Sequence, residues 1–104
     1  MAVSLAMQGE NVEYVTRLPD TQMGRAGALK LNDLGVGTNY IIYGGDRIGV
    51  YYFEEAASIR NASVGCDRAT SAYYYLQPGM INWREALKDA SVLHVSGITA
   101  AITQ

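Results

Sequence analysis

The sequence predicts an α/β fold that carries an antiparallel β excursion. Through residue 43 helix-like and strand-like stretches alternate, the rhythm of α/β domains. From 44 to 77 strand-like stretches follow one another with no helix between them, which marks an antiparallel piece. Near the end Val92, Leu93 and Val95 form a short apolar run with β-branched residues. Such a run reads as a strand buried on both faces, usual for a parallel sheet.

Taken in order, "AVSLAMQG" is the end of a helix, with Gly9 placed as its left-handed cap. "NVEYVTRL" sets Val12, Tyr14 and Thr16 against Val15 and Leu18 and reads as a strand. After the turn "PDTQMG", "TQMGRAGALKLNDLG" runs as a helix with Met23, Ala26, Leu29, Leu31 and Leu34 as apolar candidates, closed by Gly35. Gly24 and Gly27 each weaken that helix by about 1 kcal/mol relative to Ala, so tight packing is expected at both. "TNYIIY" is a further extended piece. "GGDRIGVYYFEE" is a turn and a β-rich run, and a second extended piece surrounds Ser63 to Asp67. A third is expected around "SAYYYL". "QPGMINWREAL" gives a turn and a short helix, "SVLHVSG" the buried strand, and "TAAI" the first turn of a helix.

At 104 residues the chain fits one small domain with a modest core. Half of it is hydrophobic (49%) and only 17% is charged, which argues against wholesale disorder. With a net charge of −2 and scattered Lys and Arg there is no basic field for nucleic acid or an anionic membrane. No apolar run approaches the roughly 18 residues of a spanning helix. The start has no positive n-region or cleavage pattern, and the single cysteine, Cys66, fits a reducing compartment. The expectation is a cytoplasmic protein.

The chemistry on offer is sparse. Lone His94 in an apolar run reads as a core residue rather than a base or ligand. Cys66 has no His at a recognisable spacing, and no His/Cys/Asp/Glu cluster has metal-ligand spacing. "YGGDRIG" precedes a strand instead of opening a helix, so it reads as a turn rather than a phosphate loop. Glu54 and Glu55, adjacent in a strand, would point to opposite faces, the wrong geometry for a carboxylate pair. No catalytic constellation emerges. Eight tyrosines remain, five of them in Tyr51-Tyr52 and Tyr73-Tyr74-Tyr75. They suit an interface or a sugar-sized ligand, or simply an exposed sheet face. Arg60 and Arg68 could grip a ligand carboxylate, although a surface salt link is the simpler account of Arg60.

Four stretches together resemble one family. "VSLAMQGENVEYVTRLPDTQMG", "GVGTNYIIYGGDRIGVYYFEEAASIRNASV", "DRATSA" and "PGMINWREALKDASVLHVSGITAAI" are similar in order and spacing to the 2-keto-3-deoxygluconate kinases of the ribokinase-like sugar kinase family. The resemblance implies a partial ribokinase-like α/β body, 1–43 and 78–104, with 44–77 as an antiparallel β-sheet lid. It also implies a much longer parent. The parent's Gly-Gly motif and sugar-contacting Asn would precede Met1, and its Gly-Ala-Gly-Asp motif with the ATP site would follow Gln104. ATP and Mg²⁺ would belong to the parent, with no cofactor held by this chain.

On the same resemblance, Tyr51 matches a lid tyrosine that contacts the sugar acid, Arg68 an arginine for its carboxylate end, and Ile98 a pocket residue after the "SG" turn. Cys66 falls where relatives carry a second sugar-contacting tyrosine, and Tyr73 to Tyr75 replace small and polar residues. The parent would phosphorylate the sugar acid's terminal hydroxyl with ATP. This chain by itself is expected to be non-catalytic and to complete its fold as a homo-oligomer through its lid and exposed strands. The alternatives are a small sugar-acid binding module and one half of a split kinase.

Overall fold

The computed structural model describes residues 1–102. The first half follows the predicted alternation. Helix α1 (Ala2–Met7) ends at Gly9, whose φ is +91°. Strand β1 (Thr16–Leu18), helix α2 (Gln22–Asp33) and strand β2 (Ile41–Tyr43) form a β-α-β unit in which the two strands pair in parallel, Thr16 against Ile41 and Leu18 against Tyr43. The extended piece read from "NVEYVTRL" continues upstream of β1 only as a bridge, Glu13 to Gly37.

Local chemistry explains where α2 begins and which way it faces. The Thr21 hydroxyl accepts the Gly24 N–H at 3.2 Å, an N-cap that satisfies one orphan donor of the first turn. Gly35, at φ +82°, closes the other end. Buried Gly24 and Ala28, with half-buried Leu31, lie at helical spacing on one stripe. The helix therefore turns its smallest side chains inward. Met23, Ala26, Leu29 and Leu34 are exposed, contrary to their reading as the apolar face. Gly24 bears out the expected tight packing, because a Cβ there would be driven into the Pro19 carbonyl; Gly27 does not, since its position is open.

Strands β3 (Val50–Glu54) and β4 (Ser63–Asp67) form a two-stranded antiparallel ribbon. Its register pairs Tyr51 with Cys66, Phe53 with Val64 and Val50 with Asp67. An ion pair between Arg60 and Glu54, at 2.7 Å, sits near its far end. The expected third strand around "SAYYYL" does not form. That stretch coils into turns, with the Tyr74 N–H donating to the Ser71 hydroxyl and the Leu76 N–H to the Tyr73 carbonyl. Short-range bonds have satisfied the backbone that a ladder would need.

After the turns comes α3 (Trp83–Ala86), capped by the Asn82 side chain accepting the Glu85 N–H. The Tyr40 hydroxyl donates to the Glu85 carbonyl at 3.3 Å and ties α3 to the start of β2. Helix α4 (Gly97–Ile102) ends the described chain. Between them the expected buried strand is absent among the described residues. Val92 is 82% exposed and Val95 57%, and His94 is exposed as well, so it is not a core residue. Among the described residues no strand pairs with the segment, and an apolar run cannot bury itself.

The core is accordingly small. Val36, Ile41, Ala28, Ala72 and Ile81 are its buried apolar members. A radius of gyration of 15.5 Å exceeds the roughly 13 Å of a compact chain of about 100 residues. The excess fits a ribbon whose β3 residues are all exposed.

Candidate functional site

A cleft of about 340 Å³ opens between β1 and the base of the ribbon. Its first wall is Tyr14 and the run from Thr16 to Pro19. The second is Ile48 to Tyr51, where the chain enters β3, and the third is Arg68 with Ser71 to Tyr73. Three segments distant in sequence thus meet around one opening.

Two arginines hold those walls together. Arg17 reaches from β1 to the turn after the ribbon and donates through Nη1 to the Tyr75 carbonyl at 2.9 Å and the Ala72 carbonyl at 3.4 Å. Arg47 grips Asp67 as a fork, Nη1 to Oδ1 at 2.9 Å and Nη2 to Oδ2 at 2.6 Å. It also donates to the Ala69 carbonyl at 2.8 Å, and its own carbonyl accepts the Ala72 N–H at 2.8 Å. The Arg47 guanidinium holds the Asp67 carboxyl below its usual range by hydrogen bonding first and charge second. Ala72, buried, is anchored at both its N–H and its C=O. It packs on Gly45, where a Cβ would come within 3.1 Å of the Ala72 Cα, and whose φ of +84° suits glycine.

Of the residues named from the sequence, Tyr51 and Arg68 come together in this cleft. Ile98 stands in α4 and is not part of the lining. Arg68 is exposed, and among the described residues no carboxylate pairs with it. Tyr51 and Cys66 are cross-strand partners and so share one face of the ribbon. Sequence reasoning missed Tyr14, Arg17 and Arg47, and no local pattern marks them. "YGGDRIG" forms a turn, with Gly44 and Gly45 leading into β3.

A family model described as pfkB family carbohydrate kinase matches residues 1–103. The chain belongs to the pfkB family of carbohydrate kinases. It is 30% identical, over its whole length, to a 2-dehydro-3-deoxygalactonokinase of Haloferax volcanii. A solved structure of the 2-dehydro-3-deoxygluconokinase of Thermotoga maritima is 40% identical over 99% of the chain, with a TM-score of 0.95. A pfkB family carbohydrate kinase of Listeria grayi is 33% identical over 98% of the chain, with a TM-score of 0.92. The chain spans 32% of the length of each of these three relatives. Mixed α/β architecture and the resemblance read from the sequence are therefore both shown.

Among the described residues of this pfkB-family chain no group of three or more His, Cys, Asp or Glu stands where it could hold a metal ion. The Gly44-Gly45 turn leads into a strand rather than opening a helix. No helix among the described residues is long and apolar enough to cross a membrane.

Proposed function

We propose that this segment supplies the sugar-acid wall of a pfkB-family kinase acting on a 2-keto-3-deoxy sugar acid, 2-keto-3-deoxygluconate being the first choice. The observation that carries this reading is Arg68 in the cleft, a cation with no carboxylate partner among the described residues, beside Tyr51. A guanidinium fork matches a carboxylate in two parallel bonds, and a tyrosine offers a ring face and a hydroxyl to a sugar chain. The names borne by the Haloferax and Thermotoga relatives point to the same substrate class. Ile98 is carried as a third contact on the resemblance alone.

The whole reaction would move a phosphoryl group from ATP, with Mg²⁺, to the terminal hydroxyl of the acid. This chain contributes recognition of the acceptor and orients its carboxylate end. By itself it is not expected to turn over ATP, and a cytoplasmic setting suits a sugar-acid metabolite. Calorimetric titration with 2-keto-3-deoxygluconate tests the reading. Wild type is expected to bind, and Arg68→Ala to bind about tenfold or more weakly, the scale of a charge-assisted hydrogen bond. Equal binding by the two proteins, or none by wild type, would sink it.

A second reading concerns assembly. Tyr51, Tyr52 and Phe53 are all more than half exposed, and both small sheets leave their outer edges open. A second copy covering the ribbon would bury those rings and edges. Light scattering is then expected to give a multiple of the 11.3 kDa chain mass. A monomer at every concentration rejects this reading. Restored phosphorylation on mixing with a separate ATP-binding chain would instead favour a split kinase.

A further inference from the structure

We propose that Arg47 is a positioning residue for the cleft: outside its lining, it sets the placement of Arg68 by clamping the chain on both sides of it. The inference rests on the reading of Arg68 as the carboxylate partner of the sugar acid.

Geometry carries the proposal. Asp67 precedes Arg68 and Ala69 follows it. One guanidinium bonds both, reaching the Asp67 carboxylate through two N–H groups, the Asp67 carbonyl at 3.3 Å and the Ala69 carbonyl at 2.8 Å. The backbone that bears Arg68 is thereby held from either side by a rigid planar group. The same residue opens the second wall, since Ile48 to Tyr51 follow it directly in the chain and line the cleft. Its carbonyl also holds Ala72, which Arg17 grips from the opposite side. Arg47 thus fixes the ribbon's entry and its exit relative to each other, and Arg68 stands at that exit.

There is an electrostatic consequence as well. Asp67 is the carboxylate adjacent to Arg68 in the chain, and Arg47 occupies both its oxygens. A carboxylate already paired competes less for Arg68 and repels an incoming anion less within the roughly 8 Å over which charges are felt at physiological salt.

Lysine in place of Arg47 keeps the charge but loses the fork, so equal losses in Arg47→Lys and Arg47→Ala assign the effect to the fork. Wild type, Arg47→Lys, Arg47→Ala, Arg68→Ala and the Arg47→Ala/Arg68→Ala pair are compared in two measurements, after thermal melts show each is folded. The first is ¹⁵N relaxation of the free proteins. Residues 67–72 are expected to be ordered in wild type and mobile on the nanosecond scale in both Arg47 variants, with α2 unchanged. The second is titration with 2-keto-3-deoxygluconate. Arg47→Ala and Arg47→Lys are expected to lose about tenfold in affinity, and the double variant to bind no more weakly than Arg68→Ala, the non-additivity of residues acting through one contact. Unchanged order at 67–72 in Arg47→Lys overturns the proposal, as do fully additive losses. If relaxation behaves as expected but wild type does not bind the acid, the substrate reading fails while the clamp stands.

Discussion

Gly24 of α2 faces the carbonyl of Pro19 with no room for a side chain between them. That contact brings the first turn of α2 onto the end of β1, and Pro19 is fully buried as a result. The neighbouring glycine of the same helix, Gly27, has no atom within 4 Å of where a Cβ would stand. The two glycines therefore predict opposite outcomes. Gly24→Ala forces backbone against backbone and is expected to destabilise by about 1–3 kcal/mol, the range for overpacking. Gly27→Ala relieves a helix-interior glycine and is expected to stabilise by about 0.5–1 kcal/mol. Urea midpoints of the two variants decide, and equal shifts of the same sign would refute the packing difference.

The Arg47–Asp67 fork predicts a dependence on pH. Hydrogen bonding from Arg47 depresses the Asp67 carboxyl in the folded chain. A depressed carboxyl contributes stability above its unfolded value, about 3.9, and loses that contribution as pH falls through the folded value. The Asp67 carboxyl ¹³C signal is expected to titrate below about pH 4 in wild type and to move up in Arg47→Ala. The difference in stability between those two proteins should narrow as the solution is acidified through that window. An Asp67 midpoint in the ordinary range in wild type would mean the fork is not held in solution. Both side chains are partly exposed, so added salt should weaken the effect.

Cys66 reports on the ribbon face that carries Tyr51. It is exposed, it is the one cysteine in the sequence, and it pairs with Tyr51 across the ribbon. A maleimide is expected to label the folded protein, and saturating 2-keto-3-deoxygluconate to slow that labelling severalfold. Labelling at the same rate with and without the acid would place the ligand away from this face of the ribbon.

Much of the fold was legible in the residues. Strand β4 falls on the extended piece expected around Ser63 to Asp67, and β3 holds the Tyr51–Phe53 run, because β-branched and aromatic residues between turn formers bias the chain locally. Thr21 and Gly35 frame α2 for equally local reasons, a side-chain cap and a left-handed turn. Hydrophobicity favours Met23 and Leu29 for the inward stripe of α2, whereas the close approach of Pro19 requires Gly24, and Ala28 one turn on is buried beside it in the same stripe. "SAYYYL" departs from its expected strand for a different cause. Tyr73 to Tyr75 favour a strand by type, but the Ser71 hydroxyl and the Arg17 guanidinium take the backbone groups that a strand would pair.

The site divides along the same line. Tyr51 and Arg68 could be named from a resemblance, but nothing in their spacing says that they share an opening with Tyr14 and Pro19. Residue order was enough for features whose causes lie within a few residues, namely the glycine ends of α1 and α2, the extended stretches that became β3 and β4, and the β-α-β order, and for the family. Chain closure is what lets Arg17 reach carbonyls 55 and 58 residues away and lets Arg47 and Asp67 lock across 20. Those bonds go to backbone carbonyls and to a carboxylate brought near by chain closure, and such acceptors leave no pattern in the order of side chains. The same physics accounts for 91–95, since a strand requires a neighbour as well as an apolar sequence.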